Sequence, residues 1–263
     1  MLIFTWNIGK NERALDLALT YLERAAASET VLACLQELPN PLPPSIDPLT
    51  LASRGLGAAA PVLAQRRALF VHSASIACVG FWDVAQDRMQ ITRWRLSSGM
   101  EFFAAGIHGV DRRNYPILEV RGAYAALTRH ALDERWVDGH PLLLLGDFNA
   151  WPDLPELSER ACLFGVSSSY DHRPSNETFF GRKSPALYRI EPSPGVARGT
   201  YFHTGDSQWR DVDHVYVSST LVQGAQARRL DAIGLESLVT RTGRPSSARF
   251  SDHLPVEARV ALA

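Results

Sequence analysis

PLLLLGDFNA, residues 141–150, decides the fold, because an apolar run ends there in a group of polar residues. Leu142 to Leu145 form a continuous apolar run, which predicts a buried strand. Gly146 permits a sharp backbone turn after that strand. Side chains two positions apart in an extended segment point the same way, so Asp147 and Asn149 are predicted to face one spot. A carboxylate beside an amide suits a hard cation or a phosphate group, whereas the alternative is a polar turn that closes a core strand.

Size and composition bound the class of protein. The chain has 263 residues, of which 46% are hydrophobic and 21% are charged. These values are typical of a globular protein with material for one large domain or two small ones. The formal net charge is -1, which excludes a strong overall field that would attract nucleic acid. No stretch approaches the ~20 apolar residues of a membrane-spanning helix.

Cysteine usage and the N-terminus indicate the compartment. The three cysteines, Cys34, Cys78 and Cys162, are widely separated and form no CxxC motif. An odd number at this spacing argues against a disulfide framework and against a thiolate zinc site. The first residues lack the basic and apolar regions of a secretory signal peptide. We therefore expect a reduced, cytoplasmic protein, and the sequence leaves its oligomeric state open.

Hydrophobic periodicity predicts many strands and two long helices. The predicted helices cover residues 11–27 and 116–137. The predicted strands cover residues 2–8, 31–35, 68–72, 75–83, 90–96, 101–107, 142–145, 212–218 and 254–262. Five prolines between positions 39 and 48 predict a stiff loop, and Ser98-Gly99 predicts a hairpin turn. Residues 165–200 are rich in Ser, Pro, Gly and Arg and predict long loops.

Polar side chains lie at or beside the ends of the predicted strands. These residues are Asn7, Glu37, His108, Asp147, Asn149, Asp213, Asp252 and His253. Strands that run in alternate directions can bring such ends to one rim. Helices beside strands of mixed direction predict an α/β (α+β) fold, with two sheets packed face to face and helices outside. Loops at the rim of such a fold commonly carry catalytic groups.

Six short motifs stand in order along the chain. They are Trp6-Asn7, Gln36-Glu37, His108, Gly146-Asp147-Phe148-Asn149, Asp213-His214-Val215 and Ser251-Asp252-His253. This ordered set resembles the endonuclease/exonuclease/phosphatase superfamily, which includes deoxyribonucleases of the pancreatic type, abasic-site endonucleases and sphingomyelinases. The resemblance covers nearly the whole chain. It implies a four-layered α/β sandwich of two mixed β-sheets, a single domain over residues 1–263, and divalent-metal-dependent cleavage of phosphate esters.

The resemblance implies a metal site made of three residues. Glu37 matches the principal ligand, and Asn7 and Asp252 match the residues beside it. Carboxylate and amide oxygens suit Mg²⁺ or Mn²⁺, which also bind substrate phosphate. The sequence leaves open whether one or two metal ions act. Asn7 has the alternative of capping the helix that starts nearby.

The resemblance also implies roles for five residues at the phosphate group. Asp147 would orient or deprotonate the attacking water, and Asn149 would hold a nonbridging phosphate oxygen. His253 would contact the scissile phosphate, with Asp213 fixing its tautomer. His108 would be the second histidine at this phosphate. A base, several donors and a metal ion together stabilise the charge that develops in the transition state.

The chain departs from the family pattern just before Asp213. The family often has Arg-Ile-Asp there, whereas this chain has Arg210-Asp211-Val212-Asp213, so either aspartate could orient His253. Asp213 is favoured because it directly precedes a predicted strand, although it could instead pair with Arg210. Abasic-site endonucleases carry tyrosine at the position of His108, which argues against an abasic-site repair enzyme.

Three functions follow from these observations. The first is an endonuclease or exonuclease for DNA or RNA, in which Arg112, Arg113 and the arginines of residues 241–249 bind flanking phosphates. The second is a phosphoesterase that acts on a small phosphate ester or a phospholipid head group, which the near-neutral charge favours. The third is a catalytically silent binding module, for which the loss of a metal carboxylate or a histidine would be the evidence. No motif residue of that kind is missing from the sequence.

Overall fold

The computed structural model describes residues 1–59, 68–84, 88–133, 140–158, 165–167, 178–179, 182–183, 187–193, 195 and 197–262. Its strands, in chain order, are β1 (Leu2–Asn7), β2 (Val31–Gln36), β3 (Leu56–Ala59), β4 (Ala68–Ser73), β5 (Ile76–Asp83), β6 (Met89–Leu96), β7 (Glu101–His108), β8 (Leu142–Asp147), β9 (Gly165–Ser167), β10 (Thr178–Phe179), β11 (Arg182–Lys183), β12 (Leu187–Arg189), β13 (Pro192–Ser193), β14 (Tyr201–His203), β15 (Gln208–Arg210), β16 (Asp213–Ser218), β17 (Gln226–Arg229), β18 (Ala232–Ile233), β19 (Glu236–Ser237) and β20 (Val256–Arg259). Its helices are α1 (Glu12–Ala26), α2 (Pro48–Ser53), α3 (Ile117–Asp133), α4 (Pro155–Ser158), α5 (Ser219–Val222) and a 3₁₀ helix (Pro44–Ile46).

The two largest sheets have seven strands each and are both mixed. The strand order is β13-β17-β20-β1-β2-β4-β3 in the first sheet and β5-β6-β7-β8-β16-β12-β9 in the second. In each sheet a helix connects a parallel pair, with α1 between β1 and β2 and α3 between β7 and β8. The other neighbours of the central strands β1 and β8 are the antiparallel strands β20 and β16. The ends of strands from both sheets that face one edge can therefore form a common site.

Three buried hydrophobic clusters separate four layers of structure. The first cluster packs α1 and α2 against the first sheet. The second lies between the two sheets, and the third packs α3 against the second sheet. This arrangement confirms the predicted four-layered sandwich, with two mixed sheets face to face and helices outside.

The apolar run of β8 is explained by its position between two clusters. Leu143 and Leu145 belong to the cluster between the sheets, whereas Leu142 and Leu144 pack towards α3. Successive side chains of a strand alternate between its faces, so a strand covered on both faces needs apolar residues at every position. The predicted buried strand is therefore confirmed, and its continuous apolar character follows from the four-layered fold.

Gly146 does not make the turn that was predicted at the end of this strand. β8 continues through Gly146 to Asp147, and both residues pair with β7 and β16. Gly146 has φ 149, and a Cβ atom there would lie 1.9 Å from the carbonyl oxygen of Ile107. The position requires glycine because the neighbouring backbone leaves no room for a side chain.

The helices differ from prediction mainly at their ends. α1 begins after Asn11, whose side chain accepts a hydrogen bond from the backbone N–H of Ala14 at 3.1 Å. α3 ends at Asp133, and positions 134–137 of the predicted helix lie outside the described residues. The prediction of a proline-rich loop is wrong from Pro44 onwards. The 3₁₀ helix and α2 form there, because the first turn of a helix accommodates proline. Within the described residues, no helix has the length and apolar character needed to cross a membrane.

The predicted C-terminal strand is shorter in the structure, and part of one predicted loop region is not described. β20 covers four residues, Val256–Arg259, instead of residues 254–262. Residues 165–200, predicted as long loops, contain short strands where they are described, and the remainder lies outside the described residues.

Candidate active site

Polar side chains from both sheets meet at one edge of the sandwich. Asn7, His108 and Asp147 are the last residues of β1, β7 and β8, and Asp213 is the first residue of β16. Asp213 pairs directly with Asp147, because β16 is antiparallel to β8. His253 lies in the loop that leads into β20. These residues are far apart in the sequence, and the strand directions bring them together.

Asn7 connects the two sheets at the centre of the cluster. Its side-chain Nδ2 donates to Asp147 Oδ2 at 3.0 Å and to Glu37 Oε1 at 3.3 Å. Its Oδ1 accepts a hydrogen bond from the backbone N–H of Gly9 at 3.1 Å. Asn7 does not cap α1, since Asn11 does so. The amide group therefore lies between two carboxylates, one from each sheet.

Asp147 and Asn149 face each other, but for a different reason from the one predicted. Asn149 has φ 50, a left-handed conformation, so the segment is not extended. Its backbone N–H donates to Asp147 Oδ1 at 2.8 Å, and its Nδ2 lies 3.4 Å from Asp147 Oδ2. The same Nδ2 donates to the carbonyl oxygen of Gly109 at 3.1 Å. A tight turn around the carboxylate, and not strand alternation, places the amide beside Asp147.

His253 lies between two buried aspartates. Its Nδ1 is 2.9 Å from Asp213 Oδ2, and its Nε2 is 3.9 Å from Asp147 Oδ2. Burial alone would lower the pKa of His253, but the carboxylates of Asp213 and Asp147 outweigh it and raise this pKa to about 10. Burial raises the pKa of Asp147 above its ordinary value, although the charge of His253 opposes that shift. The histidine is therefore an imidazolium at neutral pH, and Nε2–H points towards the centre of the cluster.

The structure brings Asp213 to His253 and holds Asp211 elsewhere. Asp211 pairs with Arg189, and its other oxygen lies 3.6 Å from Arg229 Nη1. Arg210, the alternative partner of Asp213, pairs with Asp206 instead. Of the two aspartates, Asp213 is thus the one in contact with the imidazole ring.

Glu37 and His108 form a second carboxylate–imidazole pair. His108 Nε2 lies 3.4 Å from Glu37 Oε1. This contact with His108 lowers the pKa of Glu37 to about 2, although burial opposes the shift. His108 Nδ1 is buried without a hydrogen-bond partner among the described residues. Glu37 is therefore ionised throughout the physiological range, with a third of its side chain exposed to the solvent.

Asp252 is less closely tied to the cluster than Glu37 and Asn7. Its side chain is half-buried, and its backbone carbonyl accepts a hydrogen bond from Phe202 N–H at 3.3 Å. Its Oδ1 lies 3.9 Å from the position that a Cβ atom on Gly9 would take. The backbone N–H of Gly9 donates a hydrogen bond to Asn7 Oδ1. Asp252 also contributes to the raised pKa of His253. Its carboxylate is therefore near Asn7, on the exposed side of the site.

The cluster contains two groups of donors suited to a divalent cation, and Asn7 of one group contacts Asp147 of the other. One is the predicted set of Glu37, Asn7 and Asp252, which offers oxygen ligands of the kind that Mg²⁺ and Mn²⁺ prefer. The second is Asp147, Asp213 and His253, whose ligand atoms all lie within 4.8 Å of one another, and His253 would have to release its proton to bind a cation there. The sequence assigned this second group to catalysis and not to metal binding.

Two observations indicate that a positive charge suits this cluster. The Asn7 NH₂ group lies between the carboxylates of Glu37 and Asp147, in a position where a cation would also be attracted. Asp213 Oδ1 is buried without a hydrogen-bond partner among the described residues. An unpaired buried carboxylate oxygen is costly unless a cation or a donor compensates it.

Arg112 and Arg113 lie beside the cluster and not within it. Both line a pocket of about 230 Å³, whose wall includes Asn149. Arg113 Nη2 donates to Asp111 Oδ2 at 2.7 Å. Their proximity to Asn149 is consistent with contacts to a group next to the reacting phosphate.

Sequence reasoning assigned no role to three residues that support the site. Thr200 Oγ1 accepts a hydrogen bond from the backbone N–H of Asp213 at 3.0 Å. The ring of Tyr201 packs on His253, with 4.6 Å between the ring centroids. His214 Nε2 is 2.9 Å from the carbonyl oxygen of Ala150. Thr200 is the last residue of the segment predicted as loops and Tyr201 directly follows it, so no local pattern indicated them.

Comparisons with known proteins concern the family and the fold of the chain. The model of the family described as "Endonuclease/Exonuclease/phosphatase family" matches residues 4–253. No curated protein sequence matches the chain. The chain is similar to the structure of an AP endonuclease from Archaeoglobus fulgidus, with TM-score 0.61 and 14% identity over 100% of both chains.

Two further solved structures share the fold. The chain is similar to a 3'-5' exonuclease from Neisseria meningitidis, with TM-score 0.59 and 21% identity over 100% of both chains. It is also similar to a mannosyl-6-phosphatase from Bacteroides thetaiotaomicron, with TM-score 0.58 and 14% identity over 100% of both chains. At these identities the likeness shows a shared fold, and the substrates of these proteins differ from one another.

Proposed function

Because the chain belongs to the endonuclease/exonuclease/phosphatase family, whose members hydrolyse phosphoester bonds, we propose that it is a divalent-metal-dependent nuclease acting on DNA or RNA. The observation that carries this proposal is an unbroken series of contacts across the two sheets. It runs from Asp213 to His253 at 2.9 Å, from His253 to Asp147 at 3.9 Å, and from Asp147 through Asn7 to Glu37 at 3.0 and 3.3 Å. The series contains a base, a cationic donor and oxygen ligands within one cluster. We also propose that residues 1–263 form one domain.

In this proposal Glu37, Asn7 and Asp252 hold Mg²⁺ or Mn²⁺. When bound, such an ion neutralises charge on the phosphate and lowers the pKa of a water ligand. Glu37 suits this role because its low pKa keeps it ionised and because part of its carboxylate faces the solvent. His108 would then orient the Glu37 carboxylate through its Nε2 and contact the phosphate.

Asp147 is proposed as the base that takes a proton from the attacking water. Burial raises its pKa, and a carboxylate with a raised pKa binds a proton more readily than an exposed one. The backbone N–H of Asn149 and the side chain of Asn7 fix its two oxygens, so the carboxylate cannot rotate away. This fixed position favours transfer from a water at a defined site.

His253 and Asn149 are proposed to bind the phosphate oxygens. His253 is held as an imidazolium by Asp213, which orients Nδ1 and leaves Nε2–H free to donate. Charge-assisted donors that are fixed in advance stabilise charge that develops in the transition state. Asn149 Nδ2 would supply a second, neutral donor by exchanging its 3.4 Å contact with Asp147 Oδ2 for a phosphate oxygen.

A second candidate is a phosphoesterase for a small phosphate ester or a phospholipid head group. The pocket of about 230 Å³ beside Asn149 favours it, since a small pocket suits a small ligand better than it suits a long polymer. The near-neutral net charge of -1 points in the same direction. A silent binding module is disfavoured, since the contacts retain every base, donor and acidic ligand of the motif set.

A substrate panel tests these alternatives. Metal-free protein, and the same protein with Mg²⁺ or Mn²⁺ restored, should be assayed on double-stranded DNA, single-stranded DNA, RNA, sphingomyelin and inositol phosphates. We expect metal-dependent cleavage of a nucleic acid, with the Glu37→Gln variant requiring more metal for half-maximal activity. Cleavage of small phosphoesters alone would favour the second candidate. No cleavage of any nucleic acid by metal-loaded protein would overturn the proposal.

A further inference from the structure

A pocket beside the catalytic cluster has a composition that the proposed hydrolysis step does not itself require. It shares Asn149 with the cluster, and Asn149 contacts Asp147 through both its backbone and its side chain. A substrate whose scissile phosphate lies at Asn149 would therefore place its neighbouring group in this pocket. The pocket volume, about 230 Å³, is below the roughly 300–1,000 Å³ of sites for drug-sized ligands. It is suited to a single ring-sized unit and not to a duplex.

The polar part of the pocket is positively charged. Arg112, Arg113 and Arg210 line it, and Asp111 is the one aspartate among its lining residues. Asp111 is engaged by Arg113, whose Nε and Nη2 lie 2.9 and 2.7 Å from its Oδ2. Arg210 Nε is buried and has no acceptor among the described residues. Arg210 pairs with Asp206 through Nη2, so the three arginines outnumber the two aspartates that Arg113 and Arg210 contact. Arginine pairs well with phosphate oxygens, so the remaining positive charge favours an anionic group.

The apolar part of the pocket is aromatic. Trp151 is 44% exposed, which is unusual for so large an apolar side chain, and it lines the pocket. Tyr201 also lines the pocket. Its ring packs on the ring of His253, and its side chain forms a hydrogen bond with Arg113. An exposed indole beside a cationic patch matches the surfaces on which proteins stack nucleobases.

A buried histidine fixes the backbone next to Trp151. His214 is buried, and its Nε2 is 2.9 Å from the carbonyl oxygen of Ala150. Arg189 Nε donates to His214 Nδ1 at 3.3 Å, so Nδ1 is the acceptor and Nε2 carries the proton. The hydrogen bond to Ala150 therefore fixes the backbone between Asn149 and Trp151.

We propose that this pocket binds the nucleotide next to the scissile phosphate, with its base stacked on Trp151 and its phosphate held by the arginines. This inference rests on the proposed function. It names the recognised unit as one nucleotide, a nucleoside with its phosphate group, of a single-stranded nucleic acid. An isolated phosphate or a sugar phosphate would occupy the cationic part and leave the indole uncovered.

Binding to the metal-free protein tests the pocket without requiring catalysis. Isothermal titration calorimetry should compare adenosine 5'-monophosphate with ribose 5-phosphate, which lacks the base. We expect the nucleotide to bind roughly 5- to 100-fold more tightly, the range that stacking on an aromatic side chain supplies. Trp151→Ala should remove this preference, and Trp151→Phe should retain most of it. Arg112→Gln should weaken the binding of both ligands by a similar factor.

Equal affinities for the two ligands in the unmodified protein would overturn the inference, and so would a preference that persists in Trp151→Ala. Failure of the pocket and failure of the proposed function are distinguishable. Cleavage of nucleic acid without any preference for the nucleotide would leave the nuclease proposal intact and remove the pocket. Nucleotide preference that depends on Trp151, without cleavage of nucleic acid, would support the pocket and remove the nuclease proposal.

Discussion

Buried carboxylates occur both at the catalytic edge and on the first sheet, and their neighbours differ. Glu257, on β20, is 1% exposed and contacts Arg228, Arg259 and the hydroxyl group of Tyr21. At the catalytic edge, Asp147 and Asp213 are equally buried, but their partners are His253 and amide groups. Among the described residues, no arginine or lysine forms an ion pair with either aspartate.

The difference separates a structural ion pair from the cluster that we propose as the reactive site. Arginine is permanently charged, so Glu257 is compensated by the protein itself at all ordinary pH values. His253 is titratable, and its charge depends on the two aspartates beside it. A cluster whose compensation is incomplete attracts a cation or a proton from outside, which is what hydrolysis of a phosphate ester requires.

The largest expected effect is the loss of catalytic activity when a carboxylate of the proposed active site is replaced. Asp147→Asn removes the proposed base and should reduce kcat by ~10²–10⁴-fold, the usual contribution of a general base. Steady-state kinetics on the best nucleic-acid substrate with Mg²⁺ would measure this loss, with folding checked by circular dichroism.

Asp211→Asn is the matched control, because the same chemical change is made to an aspartate that is compensated by Arg189 and Arg229. It should retain kcat within a few-fold when assayed well below its melting temperature. Similar losses of activity in both variants would remove the distinction between the two clusters.

The second effect concerns pH and the stability of the metal-free protein. Folding raises the pKa of His253 to about 10, whereas histidine in an unfolded chain has a pKa of about 6.5. The protonated ring therefore stabilises the fold fully below about pH 6.5, and this stabilisation is lost as the pH rises through 10. Urea unfolding at several pH values should show a fall of up to several kcal/mol across this range.

His253→Gln provides the comparison for this pH effect. Its unfolding free energy should start lower at pH 6.5 and decline less steeply up to pH 10, because the titrating group is gone. Parallel curves for the two proteins would show that the aspartates do not hold a proton on His253.

The smallest effect concerns the compensated cluster. Glu257→Gln leaves Arg228 and Arg259 without their carboxylate and should cost about 1–3 kcal/mol of unfolding free energy. This is below the ~3–5 kcal/mol of a fully buried pair, because more than half of each arginine side chain is exposed. Urea unfolding measures the cost, and nuclease kinetics should stay within about two-fold. A large loss of activity with unchanged stability would reverse the assignment of the two clusters.

Local sequence patterns were sufficient for the sandwich because each layer has its own signature. The apolar stripe of α1 and the continuous apolar run of β8 follow from burial on one face and on two faces, respectively. Patterns were insufficient where geometry depends on packing. Gly146 was predicted as a turn, but it is a strand residue pressed against Ile107, a contact that its own neighbours in sequence do not reveal.

The candidate site divides in the same way. Its motif residues could be named in advance, since chemistry restricts metal ligands and bases to a few residue types. The choice between Asp211 and Asp213 required the positions of Arg189 and Arg229, which lie on other strands. Tyr201 could not be identified at all, because its importance comes only from its contact with His253.

The sequence by itself determined the layered fold, the family resemblance and the kinds of side chain available for chemistry, because periodicity and residue type are local properties. The tertiary structure alone decided which carboxylates are left without a permanent cation and which aromatic ring borders the site. Those outcomes depend on distances between residues far apart in the chain, such as Trp6 and His253, which are 247 positions apart and whose side-chain N–H and backbone carbonyl oxygen are 3.0 Å apart. Electrostatic compensation falls steeply with distance, so only the folded arrangement fixes it.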